Sequence, residues 1–235
     1  MNVAIINDRL KGIKMDNFKV LDLNTWNRRD YFYYFTKMMP TAYSITIDID
    51  VTNTYQYLKT RHLKFFPSYL YITTRLLKDQ PEFLIGERDG QVVQYEQLHP
   101  SFSLFHADDH SISNLWVMFS DQYQTFYDRY MATTDQYHDQ HGAMVQSDPA
   151  PVNSFMIGTI PWLSFNSYTP LPLQPLKTYF PIIQSGQFKE IDGRKMMPLS
   201  FTIHHAVADG YHVSQYLNRL KTAFAQPEQW ITIEA

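Results

Sequence analysis

LSFTIHHAVADGYHVSQYLNRL, residues 199–220, changes its period halfway along. From Met197 to His204 the residues read as a strand, with Phe201 and Ile203 alternating toward one side. From Val213 onward, Val213, Tyr216, Leu217, Leu220 and Phe224 fall at i, i+3, i+4, i+7 and i+11, the stripe of an amphipathic helix that ends near Pro227. The change of period falls on His204-His205-Ala206-Val207-Ala208-Asp209-Gly210-Tyr211-His212. A histidine at a strand end is held by rigid backbone on one side while its ring reaches into a cleft, which is what a positioned general base requires. An ordinary pKa of about 6.5 leaves such a ring able to take a proton near neutral pH. Asp209 has two readings: the N-cap of the helix, or a carboxylate that pairs with a cation and braces the loop. His204, His205, Asp209 and His212 are also metal-ligand types, but their spacing across a strand-to-helix turn does not converge on a tetrahedron, so no metal is expected.

Upstream, helical spacing covers residues 54–78, with Tyr55, Leu58 and His62 on one face, a break at Pro67, and Tyr69, Ile72, Leu76 and Leu77 on another. Asp89-Gly90 between Phe83–Ile85 and Gln91–Tyr95 predicts a hairpin, and Asp192-Gly193 between Gln187–Ile191 and Met197–His204 predicts a second. Ser101–His106, Asn114–Phe119, Ser154–Ile160 and Tyr179–Gln184 read as further strands. Tyr123, Phe126, Tyr127, Tyr130 and Met131 form a helical stripe, and residues 135–153 read as a polar loop. Five prolines in residues 161–181 exclude a long helix there. Strands mixed with helices and repeated hairpins predict an α/β (α+β) fold, one mixed sheet flanked by helices. With no linker and no repeat, residues 16–235 are read as one domain behind an N-terminal extension, residues 1–15, with Met15 an alternative start.

Composition narrows the class of function. Apolar residues make up 44% of the 235 and charged residues 18%, a globular balance. Net charge is −3 without a Lys/Arg run, which argues against a nucleic-acid partner. The absence of cysteine removes disulfides, thiolate metal sites and a thiol nucleophile. The N-terminal apolar run is too short for a signal peptide or a membrane span, so a cytoplasmic location without membrane attachment is expected.

The stretch at 199–220 closely resembles the active-site segment of the chloramphenicol acetyltransferases. Three other parts of the chain agree in the same order: NTWNRRDYFYYF (24–35) with MPTAYSIT (39–46), SFSLFH (101–106) and IPWLSFNSY (160–168). His-His-x-x-x-Asp-Gly alone is shared with dihydrolipoamide acyltransferases and condensation domains, whereas the set spanning roughly residues 16–222 is far more specific. The resemblance implies a CoA-dependent acyltransferase fold, a homotrimer with active sites between subunits, and acetyl-CoA as acetyl donor. His205 would be the base that activates a hydroxyl of chloramphenicol for direct attack on the thioester. Asp209 would pair with Arg28 to hold the loop. Phe35, Tyr43, Phe102, Gly158, Thr159 and Tyr168 fall where the family binds its acceptor, and Trp162 falls near the pantetheine arm of CoA.

Departures from the family pattern bear on the acceptor and the rate. Gly158 stands where the family usually has a serine that stabilises the oxyanion, which leaves Thr159, a water, or slow turnover as the readings. Gln184 replaces a common threonine, and Thr41, Ala42 and Tyr43 replace smaller or less polar residues. The alternatives are therefore a different hydroxyl or amine acceptor, or a catalytically weak ligand-binding homologue.

Overall fold

A computed structural model describes residues 17–172 and 179–232; the extension at 1–15 and the alternative start lie outside them. In chain order the strands are β1 (Phe18–Val20), β2 (Ala42–Asp50), β3 (Ile85–Arg88), β4 (Gln91–Tyr95), β5 (His99–Phe105), β6 (Ile112–Trp116), β7 (Ser154–Ile160), β8 (Ile182–Gly186), β9 (Lys189–Ile191) and β10 (Arg194–His204). The helices are α1 (Arg29–Tyr33), which runs into a wide π turn over Tyr34–Met38, then α2 (Thr52–Thr60), α3 (Phe65–Lys78), α4 (Tyr123–Tyr137) and α5 (Gly210–Ala225).

Both Asp-Gly hairpins form, β3–β4 and β9–β10. Asp89 (φ 51°) and Gly90 (φ 78°), like Asp192 (φ 51°) and Gly193 (φ 74°), occupy the left-handed conformations that a type I′ turn demands. The first hairpin joins β1 in a small antiparallel sheet, β1-β4-β3. The main sheet runs β2-β10-β8-β7-β5-β6, with β9 also on β10; β5–β7 and β7–β8 are parallel and the other pairs antiparallel. This is the mixed sheet expected.

Alternation along β10 assigns its two faces. Phe201 packs on Phe83 and Tyr216 of α5, whereas Ser200 and Thr202 bond to Tyr168 O (2.6 Å) and to the Ser44 hydroxyl (2.6 Å) on the other side. Helices cover the first face, locked by Tyr216 Oη to Thr73 O (3.0 Å), Thr54 Oγ1 to Phe224 O (2.6 Å) and Ser68 Oγ with Tyr123 Oη (2.8 Å). The core is correspondingly aromatic: Tyr69, Tyr123, Tyr216, Phe83, Phe126, Phe155, Phe201 and Phe224 are among its largest fully buried side chains.

Several boundaries differ from the sequence reading: the strand expected at Asn114–Phe119 is Ile112–Trp116, Phe83 and Leu84 lie in a 3-10 turn ahead of β3, and three further cases follow. The break within 54–78 comes at His62, not Pro67. His62 (φ 56°) ends α2 in a Schellman motif, with Leu63 N donating to Leu58 O (3.0 Å) and His62 N to Lys59 O (3.3 Å), so it does not share the Tyr55–Leu58 face. Pro67 sits in the first turn of α3, where its missing N–H has no partner to lose. Helix α4 runs on to Tyr137, and within it Thr134 returns its hydroxyl to Tyr130 O (3.0 Å). The strand expected at Tyr179–Gln184 begins at Ile182: Tyr179 instead turns to the small sheet, its N–H on Ile85 O (3.3 Å) and its hydroxyl on Glu87 (2.8 Å).

Candidate active site

His205 lies just past β10, pinned through its backbone. Its N–H donates to Thr41 O (2.8 Å), and its carbonyl faces Arg28 Nη2 at 3.5 Å. The ring is held by aromatics: Phe35 stacks on it at 4.0 Å between centroids and 5° between planes, and Tyr43 leans on it at 4.9 Å. Phe35 reaches this position from the π turn, where Met39 N donates to Tyr34 O (2.8 Å) and widens the coil. Nδ1 of His205 is buried with no hydrogen-bond partner, and the residue lines a cleft of about 400 Å³ with Tyr31, Tyr34 and Phe35.

Asp209 does not touch the His205 ring. Its Oδ2 takes Arg28 Nη1 (3.1 Å), and its Oδ1 takes Tyr211 N (3.2 Å) and lies 2.8 Å from His212 Nδ1. It therefore serves as helix N-cap and as loop brace at once, through different oxygens. Burial pushes the Asp209 carboxyl up, but the Arg28 hydrogen bond, the charges of His212 and Arg28 and the His212 hydrogen bond outweigh it and hold the group below the usual carboxylate range. Burial, with help from the Asp209 charge, raises the Tyr43 hydroxyl well above its ordinary value. Burial also lowers His204, and the neighbouring His205 lowers it further; its Nδ1 accepts from Ala206 N (3.1 Å), which fixes its tautomer.

The remaining acceptor-site residues gather elsewhere. Phe102, Gly158 and Tyr168 line a separate cavity of about 370 Å³, with Gln184, Trp116 and Met144. Gly158 pairs with Gln184 and Gln184 with Ser200, so Gly158 is two strands away from β10. His205 is five residues beyond Ser200, about 17 Å along a strand. Within one chain the histidine and this cavity are thus apart. Thr159, one of the readings left open for the missing hydroxyl, is exposed: β7 pairs with β8 without a bulge, so Thr159 faces away from Gly158. Trp162 is 61% exposed and packs edge-on to Phe105 at 4.6 Å.

Gln184 was legible only as an odd residue, and the strand register shows what it does. Its carboxamide fills the space that a side chain at 158 would occupy, its two terminal atoms 3.0 and 3.4 Å from where a Cβ would sit. Oriented to match its neighbours, its oxygen accepts from Thr159 N (3.0 Å) and Ile160 N (3.2 Å), which turns the NH2 toward the Gly158 side of the cavity. A fixed donor therefore stands beside the missing hydroxyl.

The strand-end histidine, the Arg–Asp brace and the capped helix sit in a mixed-sheet fold, and the comparisons with known proteins make the chain an acyltransferase. The solved structures agree at the level of fold. A chloramphenicol acetyltransferase matches with a TM-score of 0.76 at 22% identity, covering 88% of this chain and 99% of its own. A catalytic core of the 2-oxoacid dehydrogenase multienzyme complex from Thermoplasma acidophilum matches at 0.64 and 18% identity, covering 89% and 99%. The family model for chloramphenicol acetyltransferase matches residues 16–221. Chloramphenicol acetyltransferase from Vibrio anguillarum is 32% identical over 87% of this chain and 93% of its own, and chloramphenicol acetyltransferase 2 from Haemophilus influenzae is 31% identical over 87% and 96%. The chain belongs to the chloramphenicol acetyltransferase family.

Proposed function

We propose that this enzyme transfers the acetyl group of acetyl-CoA to a hydroxyl of chloramphenicol, in the cytosol, at sites completed between the subunits of a homotrimer. The observation that supports this most is the His205 ring, packed on Phe35 and Tyr43 at the wall of a cleft, in a chain of this family. Nε2 accepts the hydroxyl proton as the oxygen attacks the thioester carbonyl. The tetrahedral oxyanion collapses with cleavage of the C–S bond, and the imidazolium returns the proton to the departing thiolate, giving ester and free CoA. Such base catalysis contributes about 10²–10⁴-fold, and alignment of two bound substrates supplies much of the remainder. The NH2 of Gln184 donates to the oxyanion in place of the absent serine hydroxyl.

The separation of histidine and cavity supports the trimer. Facing the cavity of one copy with the His205 cleft of another assembles base, oxyanion donor and acceptor pocket. The surfaces to be covered are apolar, with Tyr31, Tyr34 and Met38 exposed beside His205 and Met144, Met156, Trp162 and Leu163 exposed near the cavity or the β7 end. Among the described residues no helix is long and apolar enough to cross a membrane.

Release of free thiol from acetyl-CoA with chloramphenicol is the direct test, run on wild type and His205→Ala. Turnover lost in the variant supports the scheme. Turnover unchanged in the variant, or a panel of other hydroxyl and amine acceptors outranking chloramphenicol, overturns the base or the acceptor respectively.

A further inference from the structure

His106, at the end of β5, is buried and its ring stacks on that of His141, in the segment after α4, at 4.2 Å between centroids. Asp108, in the turn after β5, completes a set of three: one ligand atom from each of His106, Asp108 and His141 lies within 4.8 Å of the others. We propose that these residues bind a divalent transition-metal ion, zinc by preference, which fastens the segment after α4 to the β5–β6 edge.

The donors are two imidazoles and one carboxylate with no thiolate, a set that suits zinc and leaves a fourth position for water. Asp108 Oδ2 and His141 Nε2 are already 3.3 Å apart. That is the edge of a tetrahedron whose metal–ligand bonds are about 2.0–2.1 Å. Bringing the most distant donor from 4.8 Å to that edge takes about 1.5 Å of side-chain movement, and Asp108 and His141 are exposed enough to make it. The surroundings prepare both rings. Ser113 Oγ uses its one hydrogen on Gln140 O (3.1 Å), so it accepts from His106 Nε2–H (2.8 Å), which leaves a lone pair on Nδ1. Asp109 Oδ2 takes the Nδ1–H of His141 (2.8 Å), which leaves Nε2 for the ion. A carboxylate behind a ligating histidine is the usual support of a zinc site. The bound ion would also brace the acceptor cavity: beyond His141, Ala143 O receives Asn114 N (3.1 Å), Gln146 Oε1 receives Trp116 N, and Met144 and Gln146 line the cavity.

The test needs no substrate. Untagged protein is dialysed against zinc and its metal content measured, and cobalt is titrated in to read the visible absorption of a four-coordinate ion. Wild type, Asp108→Asn, His141→Ala, Asp109→Asn and, as a control on a neighbouring exposed histidine, His138→Ala are compared, with circular dichroism to confirm folding. We expect one ion per chain in wild type and in His138→Ala, affinity lowered at least tenfold in Asp108→Asn and His141→Ala, and lowered about 10–100-fold in Asp109→Asn. Zinc should raise the unfolding temperature of wild type and not of His141→Ala. Uptake that survives both ligand substitutions would place the ion elsewhere, and no uptake by wild type would leave His141 as no more than a partner of two aspartates; either result overturns the proposal.

Discussion

Gln184 allows the sharpest test of the catalytic scheme, because Gly158→Ser should fail to improve the enzyme while Gln184 remains. A Cβ at 158 would stand 3.0 Å from the Gln184 carboxamide, closer than ordinary van der Waals contact, so serine and glutamine compete for one space. The carboxamide is also tied to the N–H groups of Thr159 and Ile160 (3.0 and 3.2 Å), each bond worth about 1 kcal/mol net, so serine would have to displace a held group. Gln184→Glu keeps the acceptor for those two N–H groups and replaces the donor by a negative charge beside the developing oxyanion. Loss of one such donor costs about 10²–10³ in turnover, roughly 2.7–4 kcal/mol of barrier, and the added charge deepens it. Steady-state thiol release should show kcat falling by at least 10² in Gln184→Glu with KM for chloramphenicol within about threefold, since a donor that acts on the oxyanion acts in the transition state. Gly158→Ser alone should be equal to or slower than wild type, and the double variant Gly158→Ser/Gln184→Thr should recover at least tenfold over Gln184→Thr. An increase in kcat from Gly158→Ser in the unchanged background, or unaltered kcat in Gln184→Glu, would refute Gln184 as the donor.

Because the proposed trimer joins the histidine of one chain to the cavity of the next, co-assembled His205→Ala and Gln184→Glu chains, each nearly inactive alone, should regain about one quarter of wild-type activity, half the interfaces having an intact histidine side and half of those an intact cavity side. A mixture no more active than its parents would mean that each chain builds its site alone. Sedimentation equilibrium should give three times the chain mass, and a monomer at working concentration that still turns over would exclude the shared site. Asp209→Asn should lose about 1–3 kcal/mol at pH 7 in urea unfolding, less than a fully buried pair costs, because the Asp209 side chain is 41% exposed beside an Arg28 that is 10% exposed. The folded Asp209 carboxyl titrates below its ordinary value, so its contribution is complete above about pH 3.9 and fades as pH falls toward the folded pKa. The gap between wild type and Asp209→Asn should therefore narrow in acid, and a gap that widens there would contradict the assignment.

What the sequence made legible is what is written within a turn or two of chain. Asp89-Gly90 and Asp192-Gly193 carry their own turn geometry, Asp209 caps the helix four residues before Val213 begins its stripe, and the apolar period of α5 needs no knowledge of what it packs on. Pro67 misled because a proline is a breaker only where its N–H would have been used, and that depends on where the helix starts; His62 supplied the stop without being a glycine. Contacts across strands were illegible for a different reason. Gly158 and Gln184 are 26 residues apart and meet only because β7 and β8 run parallel in that register; a slip of one residue would put them on opposite faces. His106 and His141 meet only because α4 returns its C-terminal segment to the edge of β6. Read along the chain, Gly158 is a lost hydroxyl and Gln184 an unrelated oddity. Read across the sheet, the glutamine fills the space the glycine vacates and turns a donor into the cavity, so the two residues are a single exchange. On the proposed scheme such an exchange moves the oxyanion donor from one strand to its neighbour while leaving the base untouched, and for that reason the departure at 158 does not argue against the reaction itself.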